Sequence, residues 1–132
     1  MKHLQLIFVI TFSIMCSALS AQNENSGIIG PQKFNLTSDV MTPELMWGMG
    51  RVSEIQINPV DQTILFGVTW YDWKQNKGNR ELYTMKADGS DRKNITNSKG
   101  GEYNAVWTKA GEILFLTADA NGEMQIFKMK SD

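Results

Sequence analysis

Apolar residues in this chain fall into short runs separated by polar turn residues, and the runs come in two matching sets. The first set spans Ile57 to Ser90. There an apolar run from Ile64 to Trp70 lies between Asn58-Pro59-Val60-Asp61 and the polar stretch Asn76-Lys77-Gly78-Asn79, and Leu82 to Met85 ends in Asp88-Gly89-Ser90. Pro59 fixes φ and has no N–H to donate, while Gly89 tolerates positive φ, so both mark strand ends. The runs are rich in β-branched and aromatic residues and too short for an ordinary helix, so the pattern predicts strands. In the second set, Trp107 to Glu112 precedes Ile113 to Ala118, and Met124 to Asp132 closes the chain.

Superposing the two sets gives a period. Ile64-Leu65-Phe66 returns as Ile113-Leu114-Phe115, 49 positions on. Leu82-Tyr83-Thr84-Met85-Lys86-Ala87-Asp88 returns as Ile126-Phe127-Lys128-Met129-Lys130-Ser131-Asp132, 44 positions on. The difference falls in the first copy's loop between Thr69 and Leu82, where hairpin tips accept insertions. A unit of about 40–50 residues holding several short strands is the sequence mark of a β-propeller blade. Expected strands are Val52–Asn58, Thr63–Tyr71, Glu81–Lys86 and Arg92–Thr96 in a first four-stranded blade. Tyr103–Thr108, Glu112–Thr117 and Met124–Lys130 follow in a second, incomplete one, with Asn121-Gly122 at a tight hairpin turn. The fold class expected is therefore all-β, about two antiparallel propeller blades.

Ahead of the strands, Thr42-Pro43-Glu44-Leu45-Met46-Trp47 predicts a short helix near 43–48. Thr42 suits the cap, Pro43 the first helical position and Glu44 the positive end of the dipole. Leu45, Met46, Trp47 and Met49 are expected to pack it onto the first blade, the alternative being a Met and Trp grip on a ligand. Residues 1–21 read as a signal peptide: Lys2 and His3 make a basic start, Leu4 to Ala18 is mostly apolar, and Ala18-Leu19-Ser20 offers small residues for cleavage. A membrane anchor is the alternative, but the apolar stretch falls short of about 20 spanning residues. Lipidation at Cys16 is disfavoured by the bulky Met15. The chain thus divides into 1–21 signal peptide, 22–50 lead-in with helix, 51–100 first blade and 101–132 second blade, with an exported location, periplasmic or secreted, and no membrane attachment after cleavage.

Cleavage would remove the only His (His3) and the only Cys (Cys16), and lower Lys plus Arg from 13 to 12 against 14 Asp plus Glu. Disulfides are then absent, and no basic field draws the chain to nucleic acid. Nucleophilic catalysis of the common kinds needs a base beside the nucleophile, usually His, and residues 22–132 hold none. There is no Gly-x-Ser-x-Gly elbow, no phosphate loop and no His or Cys for a transition metal. Asp88-Gly89-Ser90-Asp91 lacks the alternating acids of a calcium loop and reads as a turn. No residue is assigned to catalysis, a cofactor or a metal, and no two carboxylates are placed in a common pocket. Asp72, beside Trp70, Tyr71 and Trp73, is the leading binding candidate, for a sugar or a peptide amine. The plainer reading is a hairpin extension whose aromatics cover a neighbouring blade. Arg51 and Arg80 either hold a carboxylate or pair with Glu54 and Glu81. Asn35-Leu36-Thr37 and Asn94-Ile95-Thr96 fit glycosylation acceptors and equally well strand-end triplets.

Met41-Thr42-Pro43-Glu44-Leu45-Met46-Trp47-Gly48-Met49-Gly50-Arg51-Val52-Ser53 resembles the segment that leads into the first propeller blade of secreted bacterial prolyl oligopeptidase-family enzymes. The branch concerned is that of dipeptidyl and acylaminoacyl peptidases. Asn79-Arg80-Glu81-Leu82-Tyr83-Thr84-Met85-Lys86-Ala87-Asp88-Gly89-Ser90 is similar to their blade strand and turn, a signature shared with TolB-like propellers. The family's Ser-Pro-Asp-Gly-Lys turn is altered here to Asn58-Pro59-Val60-Asp61-Gln62 and to Thr108-Lys109-Ala110-Gly111-Glu112. The resemblance implies a propeller of seven or eight blades capping a C-terminal α/β-hydrolase domain that carries Ser, Asp and His, none of which maps onto a position here. Its partners would be the missing blades, that hydrolase domain and, in the whole enzyme, a peptide substrate. A non-enzymatic TolB-like binding module of the periplasm is the alternative. With each blade covered on one side at most, the isolated 132-residue chain is expected to be marginally stable or prone to aggregate through the open Met124–Lys130 edge.

Overall fold

The computed structural model describes residues 28–131. The expected signal peptide, with His3 and Cys16, lies outside the described residues. Helix α1 (Pro43–Gly48) begins as its sequence predicts: Pro43 occupies the first turn and Thr42 Oγ1 accepts from the Leu45 amide at 3.2 Å. Seven strands follow: β1 (Arg51–Ile57), β2 (Ile64–Asp72), β3 (Lys77–Met85), β4 (Lys93–Asn94), β5 (Tyr103–Trp107), β6 (Ile113–Ala118) and β7 (Met124–Met129). They form two antiparallel sheets in chain order, β1-β2-β3-β4 and β5-β6-β7. The described residues are all-β apart from α1, as the hydrophobic pattern indicates.

The two sheets repeat each other in register as well as in sequence. Ile64 lies opposite Met85, and its counterpart Ile113 lies opposite Met129. Phe66 stacks on Tyr83 with ring centres 5.7 Å apart, and Phe115 stacks on Phe127 at 6.1 Å. Each sheet also has a bulge in its first strand, between Ser53 and Gln56 in β1 and between Tyr103 and Val106 in β5. Glu54 and Asn104 adopt left-handed φ of 54° and 52° there. A bulge adds an unpaired residue and re-aims the side chains beyond it.

Two elements differ from expectation. Strand β3 starts at Lys77, ahead of the expected Glu81, because the Trp70–Asn79, Tyr71–Gly78 and Asp72–Lys77 pairs continue the ladder to the hairpin tip. The first copy's extra length therefore extends the strands, leaving a tip of Trp73 to Asn76. Strand β4 is only Lys93–Asn94, where Arg92–Thr96 was expected. Ile95 still donates to Leu82 O, but the Leu82 amide donates to Thr96 Oγ1 at 2.8 Å, so a side chain stands where a strand carbonyl would.

The sheets meet face to face. Leu65 and Leu82 share one face of the first sheet, and with Ala105 and Ile113 they form a core in which every member is at most 2% exposed. Ile95, Trp107, Phe115 and Met129 pack around it. Full burial of each large aliphatic side chain contributes roughly 1.5–3 kcal/mol. On the same face Arg80 is buried, its guanidinium lying over Gly67 and reaching Ser53 Oγ and Glu54 Oε2, the latter at 2.7 Å. A Cβ on Gly67 would come within 2.0 Å of Arg80 Nη2, so the absent side chain makes room for the ion pair.

Gly67→Ala is expected to cost about 1–3 kcal/mol in urea unfolding of the protein, the usual range for overpacking. In an Arg80→Ala background the same change should cost markedly less. An equal cost in both backgrounds would remove the guanidinium from the explanation.

Candidate functional site

Two places gather polar chemistry. One is the β2–β3 hairpin tip with the lead-in strand beside it, and the other is a buried polar cluster on β3. At the tip, residues 28–32 and Asp72, Trp73, Lys74 and Gln75 enclose an open cleft of about 570 Å³. Asp72 Oδ1 accepts from the amides of Lys74 and Gln75 at 2.9 and 3.1 Å, and Oδ2 accepts from Gln75 Nε2 at 2.6 Å. These bonds, those from Gln75 foremost, hold the Asp72 carboxyl below its usual value. Both carboxylate oxygens are thus engaged in making the turn of a hairpin extension, while Trp73 beside it is exposed and Tyr71 meets Trp47 of α1.

Beside the tip, the Arg51 guanidinium lies 4.5 Å from the Tyr71 ring centre and 5.2 Å from that of Trp47. The two rings meet edge to face at 5.9 Å. Arg51 therefore joins α1 to β2 through cation–π contacts rather than through Glu54. Glu54 belongs to Arg80, and the expected choice of Glu81 for Arg80 fails for a geometric reason. Neighbours on a strand point to opposite faces, and the β1 bulge brings Glu54 across instead. Of the four residues expected to pack α1 onto the first blade, Trp47 meets Tyr71 of β2 and Leu45 is half-buried, whereas Met46 and Met49 are exposed, and Gly48 is buried against Phe34 of the lead-in.

The turn at Asp88-Gly89-Ser90-Asp91 is occupied by local bonds. Asp88 Oδ1 accepts from Ser90 N at 2.9 Å, Gly89 has φ of 84°, and Asp91 pairs with Lys86 at 2.5 Å. Among the described residues no group of three or more acids, His or Cys converges as metal ligands. Asn35 is exposed in the lead-in, and Asn94 sits in β4 with Oδ1 accepting from Thr96 N.

The buried cluster brings together two carboxylates that the sequence did not place side by side. Glu81 and Glu102 are 3% and 1% exposed. Ser98 touches both, its amide donating to Glu81 Oε1 at 3.3 Å and its hydroxyl to Glu102 Oε1 at 2.6 Å. Burial pushes the Glu102 carboxyl up, the Ser98 bond opposes this, and the Glu81 charge adds to the rise. Glu102 follows two glycines in a polar loop, and nothing local in the sequence marks it for burial. At the tip the carboxylate builds a turn, and in the cluster the Ser98 hydroxyl is committed to Glu102 while both carboxylates are buried.

The class defined by these features is an all-β repeat protein with paired antiparallel sheets. No protein-family model matches the chain, and no solved structure matches it. Among curated proteins, the chain is 34% identical to dipeptidyl-peptidase 5 of Porphyromonas gingivalis over 110 residues, which is 83% of this chain and 16% of that protein. It is 26% identical to dipeptidyl-peptidase 5 of Porphyromonas endodontalis over 102 residues, 77% of this chain and 15% of that protein. The chain is thus similar over most of its length to one portion of these peptidases, and spans about a sixth of their length. Among the described residues no helix is long and apolar enough to cross a membrane, which says nothing of strands.

Because the folded state holds Asp72 ionised more strongly than the unfolded chain does, its contribution is present above the ordinary Asp range and lost as pH falls through the lowered value. Acidification should therefore speed amide exchange at Lys74 and Gln75, after correction for intrinsic rates. Asp72→Asn, which keeps an acceptor at Oδ1, should remove that pH dependence, and Asp72→Ala should loosen the tip at every pH. Unchanged exchange in Asp72→Ala would show that the carboxylate does not hold the turn.

Proposed function

We propose that this chain is a non-catalytic portion, two successive β-propeller blades, of a longer exported serine-type dipeptidyl peptidase. The observation that carries the reading is a mismatch between equivalent faces. By register, Leu114 and Ile126 in the second sheet stand where Leu65 and Leu82 stand in the first. Leu65 and Leu82 are fully buried under the second sheet, whereas Ile126 is 73% exposed and Leu114 half-buried. Tyr103, Val106 and Met124 are exposed on that same face. A third sheet docked as the second docks on the first would cover all of them, which is how a propeller grows.

The similarity to proteins named dipeptidyl peptidases supports the peptidase context and weighs against a purely binding TolB-like module. In this reading the hydrolytic Ser, Asp and His belong to another part of the polypeptide, since residues 22–132 contain no His. The blades would limit access to the reaction site and help hold the peptide. Export rests on the apolar Leu4 to Ala18 stretch behind a basic start.

The test is to express the longer polypeptide that contains this chain and to assay release of dipeptides from peptide N-termini. Release by the long form, with none from residues 22–132 alone, is expected. A long form built only of further blades and devoid of such activity would overturn the peptidase reading.

A further inference from the structure

The connection between the two sheets is held by the buried acid pair, which no ion pair neutralises among the described residues. Glu81 Oε1 accepts from Asn79 Nδ2 at 2.7 Å, and Oε2 accepts from Thr96 Oγ1 at 2.8 Å. Ser98 bridges from Glu81 to Glu102, and Glu102 N donates to Arg80 O at 2.9 Å, which pins the end of the connection to β3. Gly101 O accepts from Thr117 Oγ1 at 3.0 Å, which ties the same segment to β6. Glu102 Oε2 is buried with no partner among the described residues.

Two ionised carboxylates within reach of one serine, both out of water, would be strongly unfavourable. The groups facing them do not offset that charge. Asn79, Thr96, Ser98 and Thr117 are neutral, and the Tyr103 hydroxyl lies beside Gly101. Arg80 is committed to Glu54 on the opposite face of β3, and Lys99 is exposed. We propose that the buried Glu102 carboxyl holds a proton beside Glu81, and that this proton latches the Asn97-to-Glu102 connection onto β3, a pH-sensitive joint between the two repeats. A cleft of about 230 Å³ lined by Trp70, Glu81, Tyr83, Asn94 and Asn97 reaches the Glu81 side of the pair, while Glu102 stays outside its lining.

The sign follows from linkage. A carboxyl whose ionisation is raised by folding contributes stability below the ordinary glutamate range, and that contribution disappears as pH rises through the raised value. The joint is closed in acid and loosens toward alkaline pH. The pair is built from a strand of the first sheet and a loop leading to the second, so the loosening acts on how the sheets are joined.

The test is amide hydrogen exchange of the full chain across residues 97–102, corrected for intrinsic rates. As pH rises from the ordinary glutamate range into the alkaline range, protection in the wild type should fall by roughly tenfold. Glu102→Gln, neutral at every pH, should keep its acid-level protection at the alkaline end. Protection that does not change with pH in the wild type overturns the proposal without any variant. So does a Glu102→Gln chain that is loose at both ends of the range, or alkaline protection restored by added calcium, which would make a cation the bridging species.

Discussion

The structure depends on the burial of Leu65 and Leu82 against Ala105 and Ile113. Each sheet alone is a thin layer with an apolar face, and a sheet of three or four strands becomes stable only when such a face is covered. Contact between the two sheets supplies the cover, and it fixes register at the same time. A slip of one residue in β2 or β3 would send Leu65 or Leu82 to the other face and leave a hole against Ile113. The repeated pairs Ile64–Met85 and Ile113–Met129 show one register used twice.

Polar groups buried beside this contact define its edges. Arg80 enters the interface only because Gly67 leaves room and the β1 bulge turns Glu54 toward it. On the opposite face of the same strand, Glu81 is gathered by Asn79, Thr96 and Ser98 at the mouth of the connection to the second sheet. One strand thus carries an arginine toward its own sheet's first strand and a glutamate toward the chain that leaves the sheet. Arg80 ties the sheet internally, and Glu81 ties it to the next repeat.

Much of the fold was legible because apolar runs and turn residues act locally. Ile64-Leu65-Phe66 and Ile113-Leu114-Phe115 marked the central strands, and Thr42-Pro43-Glu44 marked the helix start. What escaped depends on partners distant in sequence. Lys77 to Arg80 is polar and reads as loop, yet it pairs because β2 runs on to Asp72 and a turn held by that carboxylate closes the hairpin. Thr96 ends the fourth strand by offering a hydroxyl in place of a carbonyl. The bulges at Glu54 and Asn104 put non-glycine residues at positive φ, for which the sequence carries no flag. Of the polar sites, Asp88 is a turn former, as Gly89 beside it suggested, and Asp72 also closes a turn although its aromatic neighbours made it the leading binding candidate. The burial of Glu102 arises from the path of the chain between the sheets and left no local trace.

The central claim is that the face carrying Leu114 and Ile126 is the counterpart of the one carrying Leu65 and Leu82, and is covered in the same way. The direct measurement is thiol labelling of the longer polypeptide in a Cys16→Ser background, with a single cysteine introduced by Ile126→Cys. The account predicts labelling as slow as for Leu82→Cys. Labelling as fast as for Asn121→Cys, on the exposed hairpin turn, would contradict it.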